Sequence, residues 1–101
     1  MSKYAVYVRP AALREIKDLP GHVRQRIKRA IDEFAGNPRP SESQALNVPE
    51  DLDYQVCRLR LDKWRVVYAI TDEENTVDVL AVRKRPPYDY GDLETLLANI
   101  E

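Results

Sequence analysis

Two short stretches of this chain carry residues whose chemistry is specific: Arg58-Leu59-Arg60-Leu61 and Trp64-Arg65-Val66-Val67-Tyr68. Side chains alternate faces along a strand, so Arg58 and Arg60 share one face while Cys57, Leu59 and Leu61 share the other. In the second stretch Trp64, Val66, Tyr68 and Ile70 form an apolar face, and Arg65 and Val67 point the opposite way. If Asp62-Lys63 is a two-residue hairpin loop, Leu61 opposes Trp64, Arg60 opposes Arg65, Leu59 opposes Val66 and Arg58 opposes Val67. Every apolar pair then falls on one face, but two like charges stand opposite each other at a Cβ separation of about 5 Å. Such a pair is destabilising unless an anion or carboxylate lies between, and a phosphate suits two guanidinium forks. Arg83-Lys84-Arg85 ends a further strand, and Tyr88 and Tyr90 follow at once. Arg58, Arg60, Arg65, Arg83 and Arg85 with these tyrosines combine cations that bind phosphate with rings able to stack a base. A single arginine on a half-exposed strand is an ordinary solvated residue, and a tyrosine beside Pro86-Pro87 packs there readily. Five arginines in register are harder to dismiss in that way.

Other chemistries are excluded by composition. One cysteine, Cys57, forms no internal disulfide, and with one histidine, His22, it supplies no zinc ligand set, so no metal and no cofactor is expected. His22, at a helix start, is expected to be an exposed first-turn residue, which removes the usual histidine-based nucleophilic devices. Net charge is −1 and the isoelectric point about 5.9, which argues against general affinity for nucleic acid. The distribution argues otherwise, because residues 1–31 hold eight Lys/Arg against only Glu15 and Asp18, and local fields meet a partner. No run approaches the roughly 20 apolar residues of a membrane span. The alternating start Ser2-Lys3-Tyr4-Ala5-Val6 is unlike a signal peptide, so a cytoplasmic location is expected.

The elements that must position the arginines can be read in order. Lys3 to Arg9 suits a first strand. Pro10 ends it and opens a short helix through Lys17, which Pro20-Gly21 stops. A second helix begins near His22, with Val23, Ile27, Ala30, Ile31 and Phe34 on one stripe and Arg24, Arg26, Lys28 and Arg29 on the solvated sides. Residues 37–49, with three prolines and no period, read as an exposed connecting loop. Three strands follow, Tyr54 to Leu61, Trp64 to Thr71 and Val77 to Arg85. Leu93, Leu96, Leu97 and Ile100 then lie on one stripe of a short final helix. The expected fold is α+β over residues 1–101 as one domain: an N-terminal strand, an α-hairpin, a three-stranded antiparallel run completing a sheet packed on the helices, and a short C-terminal helix. Trp64 and Phe34 are expected in the core, and Cys57 as a small buried hydrophobe.

This order, with Leu19-Pro20, Asn37-Pro38-Arg39-Pro40, Arg58-Leu59-Arg60-Leu61, Trp64-Arg65-Val66-Val67-Tyr68 and Val79-Leu80-Ala81-Val82, resembles the RelE/ParE toxin superfamily over nearly the whole chain. The resemblance implies a toxin of a type II toxin-antitoxin system, of the RelE type, that cleaves messenger RNA on the ribosome. A ribose 2′-hydroxyl would attack the adjacent phosphate and leave a cyclic phosphate and a free 5′-hydroxyl. It implies catalytic roles for Arg58, Arg60, Arg65, Arg85 and either Tyr88 or Tyr90, with Arg83 and Lys84 contributing to RNA binding. The implied partners are a cognate antitoxin, in a hetero-oligomer, and the ribosome with its message.

The sequence departs from this family in ways that bear on mechanism. Where relatives carry lysines it has Arg58 and Arg60, and arginine is effectively never deprotonated. The general base is then a tyrosine, with an ordinary pKa near 10 that neighbouring arginines would lower, or a group of the ribosome. The stretch Arg83 to Tyr90 also differs from the commoner Gly-His-Arg-Arg pattern. Two other readings stand beside the nuclease: a ParE-like inhibitor of DNA gyrase on the same scaffold, and a non-catalytic module that binds antitoxin or RNA through the basic face.

Overall fold

A computed structural model of the chain describes residues 3–46 and 53–84. Arg85, Tyr88, Tyr90 and the expected final helix, with its stripe of Leu93, Leu96, Leu97 and Ile100, lie outside the described residues. Strand β1 is Ala5–Val8. Helix α1, Pro10–Lys17, takes proline at its first position, where the missing N–H is not needed. Helix α2, Gly21–Glu33, follows Pro20 directly. The later strands are β2 (Ser43–Ala45), β3 (Gln55–Leu61), β4 (Trp64–Thr71) and β5 (Thr76–Lys84). A 3-10 turn, Asp72–Glu74, joins the last two and ends on Asn75 with φ 53°, a left-handed conformation that asparagine tolerates.

The five strands form one sheet in the order β1-β5-β4-β3-β2. It differs from the expected sheet in two respects. First, it is mixed, because β1 runs parallel to β5, with Ala5 opposite Thr76 and Val8 opposite Val79. The α-hairpin carries the chain away after β1, and three antiparallel strands later β5 arrives beside β1 pointing the same way; no local pattern encodes that pairing. Second, residues 43–45, read as loop, form the edge strand β2, with Gln44 opposite Arg58. Three residues are too few for a period to show in sequence.

The β3–β4 hairpin has the register expected from the alternation: Leu61 faces Trp64, Arg60 faces Arg65, Leu59 faces Val66 and Arg58 faces Val67. Asp62 takes φ 57° in the two-residue turn, a role short polar side chains fill. One face of the sheet packs on the helices through Ala12, Ile16, Ile27, Ile31, Phe34, Cys57, Leu59, Val66, Tyr68 and Val79, all buried. Phe34 and Tyr68 stack with centroids 4.1 Å apart, and the Tyr68 hydroxyl donates to the carbonyl of Pro38 at 2.7 Å, which ties the loop after α2 to the core. The opposite face carries a second buried cluster of Val56, Val67, Ala69, Leu80 and Ala81, with Leu46 and Tyr54 against it. Strand β4 is therefore buried from Arg65 to Ile70, as a strand covered on both sides requires. The face expected to lie open is closed at its centre.

Candidate active site

Three consecutive strands contribute one arginine each to a single row. Arg60 of β3 opposes Arg65 of β4, and Arg65 opposes Arg83 of β5. Directly opposed residues share a face, so the three side chains start from the same side of the sheet, away from the helices. Arg58 lies two residues back on β3, in the neighbouring row with Gln44 and Val67.

A bulge sets the phase of β5. Tyr68 pairs with Val79 and Val67 with Ala81, which leaves Leu80 as an extra residue. Val77 and Val79 belong to the helix-side core, Leu80 and Ala81 both to the opposite cluster, and Val82 to the helix side again. Strict alternation from Val77 would have turned Arg83 toward the helices; the extra residue shifts it by one and returns it to the arginine row. Lys84, by contrast, pairs with Trp64, whose side chain packs on the helix-side core. The structure therefore places Lys84 on the other face from Arg83.

Arg58, Arg65 and Arg83 are each held by a different group and Arg60 is exposed, which eases the repulsion among like charges. Arg58 Nη2 donates to Gln44 Oε1 at 2.7 Å. Arg65 is 3% exposed, and its Nη1 donates to the carbonyls of Asp62 at 3.0 Å and Trp64 at 2.9 Å. The guanidinium thus folds over its own hairpin turn, where carbonyl dipoles compensate its charge. Arg83 Nε donates to Glu15 Oε2 at 3.1 Å, and Glu15 Oε1 accepts the Val82 N–H at 3.1 Å. Arg60 is exposed. Arg65 was expected on an open face, and that expectation is corrected: it is buried, with its guanidinium turned onto the carbonyls of the turn. The exposed Arg60 and the partly exposed Arg83 present cationic donors on a rigid sheet, and the enclosed Arg65 adds positive charge between them, an arrangement that can stabilise an oxyanion with little reorganisation. Reading from sequence did not single out Glu15 or Gln44. Glu15 had a signal, being one of only two acids among the first 31 residues; Gln44 had none.

At the far end of the sheet lies a second polar cluster. The Tyr4 hydroxyl donates to Asp72 Oδ1 at 2.7 Å, Arg39 Nη2 donates to Asp72 Oδ2 at 2.8 Å, and Arg39 Nε donates to Gln55 Oε1 at 2.9 Å. Hydrogen bonds from Arg39 and then Tyr4 hold the Asp72 carboxyl below the usual carboxylate range, and the bond to Asp72 raises the Tyr4 phenol. This cluster fastens the segment after α2 to β3 and to the 3-10 turn after β4. Burial pushes the Cys57 thiol up, away from the thiolate that a nucleophilic cysteine needs. Among the described residues no group of His, Cys, Asp and Glu is placed to hold a metal ion, and no helix is long and apolar enough to cross a membrane.

Comparison with known proteins adds the family. Residues 6–86 match the model of the ParE toxin of type II toxin-antitoxin system, parDE. The mRNA interferase toxin RelE of Escherichia coli K12 is 32% identical over 74 residues, which cover 73% of this chain and 75% of that protein. A toxin named RelE1 from Methanocaldococcus jannaschii is 26% identical over 83 residues, covering 82% and 91%. Among solved structures, the archaeal RelE-RelB complex from Pyrococcus horikoshii OT3 superposes with a TM-score of 0.75 at 21% identity, over 85% of this chain and 99% of that one. The intact E. coli RelBE toxin-antitoxin complex gives 0.58 at 29% identity, over 80% and 95%. With the family model spanning most of the chain and the α+β scaffold shared, the chain belongs to the RelE/ParE superfamily of type II toxin-antitoxin toxins.

Proposed function

We propose that this toxin is a ribosome-dependent endoribonuclease that cuts messenger RNA. The observation that carries this reading is the row Arg60, Arg65, Arg83 across β3, β4 and β5, with Arg58 beside it. Such a row matches the charge that builds up on a phosphate under attack, and the E. coli relative is named an mRNA interferase. In the reaction the 2′-oxygen forms a bond to the adjacent phosphorus and gives up its proton. The bond from phosphorus to the 5′-oxygen breaks, and that oxygen takes up a proton, leaving a 2′,3′-cyclic phosphate and a 5′-hydroxyl. The arginines stabilise the five-coordinate state by charge. They accept no proton, so the base is Tyr88, Tyr90 or a ribosomal group, and Arg85 joins the arginines at the phosphate.

The partner of the resting toxin is a cognate antitoxin. RelB-bound relatives support this, and a groove of about 450 Å³ between α1, α2 and β1, lined by Val8, Leu13, Ile16 and Ile31 with Lys17, Arg24, Lys28 and Asp32, has apolar surface with a mainly basic polar lining, suited to an amphipathic segment.

A second reading, inhibition of DNA gyrase, is favoured by the ParE description of the matching family model. Incubating the pure protein with translating ribosomes and mapping 5′ ends, in parallel with a gyrase supercoiling assay, separates the two. Cuts in the message at low and moderate salt are expected; loss of supercoiling without cuts would establish the gyrase reading instead. The absence of both effects would mean a non-catalytic binding module.

A further inference from the structure

Strand β1 covers the outer edge of β5 only as far as Val79, whose carbonyl accepts the N–H of Arg9 at 3.0 Å. Beyond it the edge passes through the Leu80 bulge to Arg83, and here α1 takes over from β1. The Glu15 carboxylate reaches the strand with both oxygens, one on the Val82 N–H and one on Arg83 Nε, each at 3.1 Å. The pair of Glu15 and Arg83 is about one third exposed, so it stands at the rim of the site and not in the core.

We propose that Glu15 is a positioning residue of the RNA-cleaving site, one that fixes the Arg83 guanidinium relative to the backbone of its own strand. This rests on the nuclease reading above. Sealing a strand edge needs only one carboxylate oxygen. The second oxygen, on Nε, fixes that side of the guanidinium and with it the plane of the head. The bulge decides which face Arg83 occupies, and Glu15 decides how its head is turned. The arrangement has a signature that a purely structural contact lacks. A carboxylate beside the arginine row weakens attraction to RNA, so its removal leaves binding unchanged or tighter while it disorders the group and slows the chemical step.

The test compares wild type, Glu15→Gln, Glu15→Ala, Arg83→Ala and the double variant Glu15→Ala/Arg83→Ala as full chains. Single-turnover cleavage and affinity are measured on programmed ribosomes, and the Arg83 Nε–Hε resonance is followed by NMR. Glutamine keeps the size of Glu15 but offers one acceptor for two donors, so it separates edge sealing from positioning. Glu15→Ala is expected to slow cleavage about 10- to 100-fold, as a misplaced group does, with ribosome affinity equal or higher. In the Arg83→Ala background it adds no further loss, the non-additivity of residues that act together. Multiplying losses, a wild-type rate in Glu15→Ala, or a fall in affinity with the rate unchanged would each overturn the proposal. If the wild-type chain cuts no message, the nuclease reading fails by itself and NMR decides the contact. An ordered, exchange-protected Nε–Hε that is lost in Glu15→Ala upholds Glu15 as the residue fixing Arg83, and an unaltered signal refutes it.

Discussion

Replacing Arg65 with alanine tests stability and catalysis together, because this arginine both belongs to the row and braces the β3–β4 turn. Arg65→Ala strips the Asp62 and Trp64 carbonyls of a charged donor, and Asp62 already sits at φ 57°. A hydrogen bond to a charged group is worth about 1.5–3 kcal/mol. Relief from burying the guanidinium offsets part of the two bonds, leaving a net cost of about 2 kcal/mol. For a domain of this length each kcal/mol moves Tm by about 4–8 °C, so Tm should fall by roughly 10 °C while the protein stays folded at 25 °C. Cleavage on ribosomes, measured well below that Tm, should drop by less than the roughly 10²- to 10³-fold expected for a direct oxyanion donor, because Arg65 is 3% exposed and turned onto the carbonyls of the turn. Arg60→Ala is the reference: Arg60 is exposed, so its loss should lower cleavage and leave Tm within about 2 °C, as for a surface substitution. An Arg65→Ala protein with unaltered Tm would show that the turn carbonyls do not depend on it; one with full activity would remove it from the site.

Tyr68→Phe leaves the Pro38 carbonyl without its 2.7 Å donor and should cost about 1–3 kcal/mol by thermal or urea unfolding, with cleavage intact below Tm. Burial pushes the Tyr68 phenol up to about 12 against an ordinary value near 10. Its stabilising effect is therefore complete below pH 10 and lost as pH rises toward 12, a decline in Tm that Tyr68→Phe should lack. Asp72 has the opposite sign: its folded pKa is depressed, so its contribution is present above the unfolded carboxylate value and fades as pH falls through the folded one. Because the side chain is 57% exposed, Asp72→Asn should lower Tm by only about 1–3 °C, and less at high salt; a larger drop would reassign the cluster to the core. Deleting Leu80 removes the bulge and a buried side chain but leaves Val79, Ala81, Val82 and Arg83 in strict alternation opposite their present partners, so it should cost about 2–5 kcal/mol by urea unfolding with cleavage retained well below Tm; a folded deletion variant without cleavage would show that the bulge does more than insert a residue. For the tyrosines, Tyr→Phe keeps the ring and Tyr→Ala removes it. A stacking role, favoured because Pro86-Pro87 stiffens the approach to Tyr88, predicts near-normal cleavage in the phenylalanine variants, and a base role predicts a loss of about 10²- to 10⁴-fold. Wild-type rates in both Tyr88→Ala and Tyr90→Ala would exclude both rings.

Much of the site's frame was legible in the residues themselves. Period-two alternation in Cys57 to Leu61 and Trp64 to Ile70, joined by Asp62-Lys63, determines which side chains oppose each other, because a shift of one residue would send every apolar group to the wrong face. Hence the pairing of Arg60 with Arg65 follows from sequence. The helical stripe of Ile27, Ile31 and Phe34 likewise determines the face that α2 buries. Tertiary structure decided what alternation cannot express. The apolar run Val79-Leu80-Ala81-Val82 fits no strict period, and only pairing with β4 shows that Leu80 is the extra residue and that Arg83 joins the row. The parallel placement of β1 against β5, the edge strand at 43–45 and the reach of Glu15 across 68 residues to Arg83 are contacts between distant segments, which no local pattern records. Arg65 shows the limit most plainly. Its face follows from its position in the strand, but its burial and the turn carbonyls that receive it are decided only when the sheet is assembled.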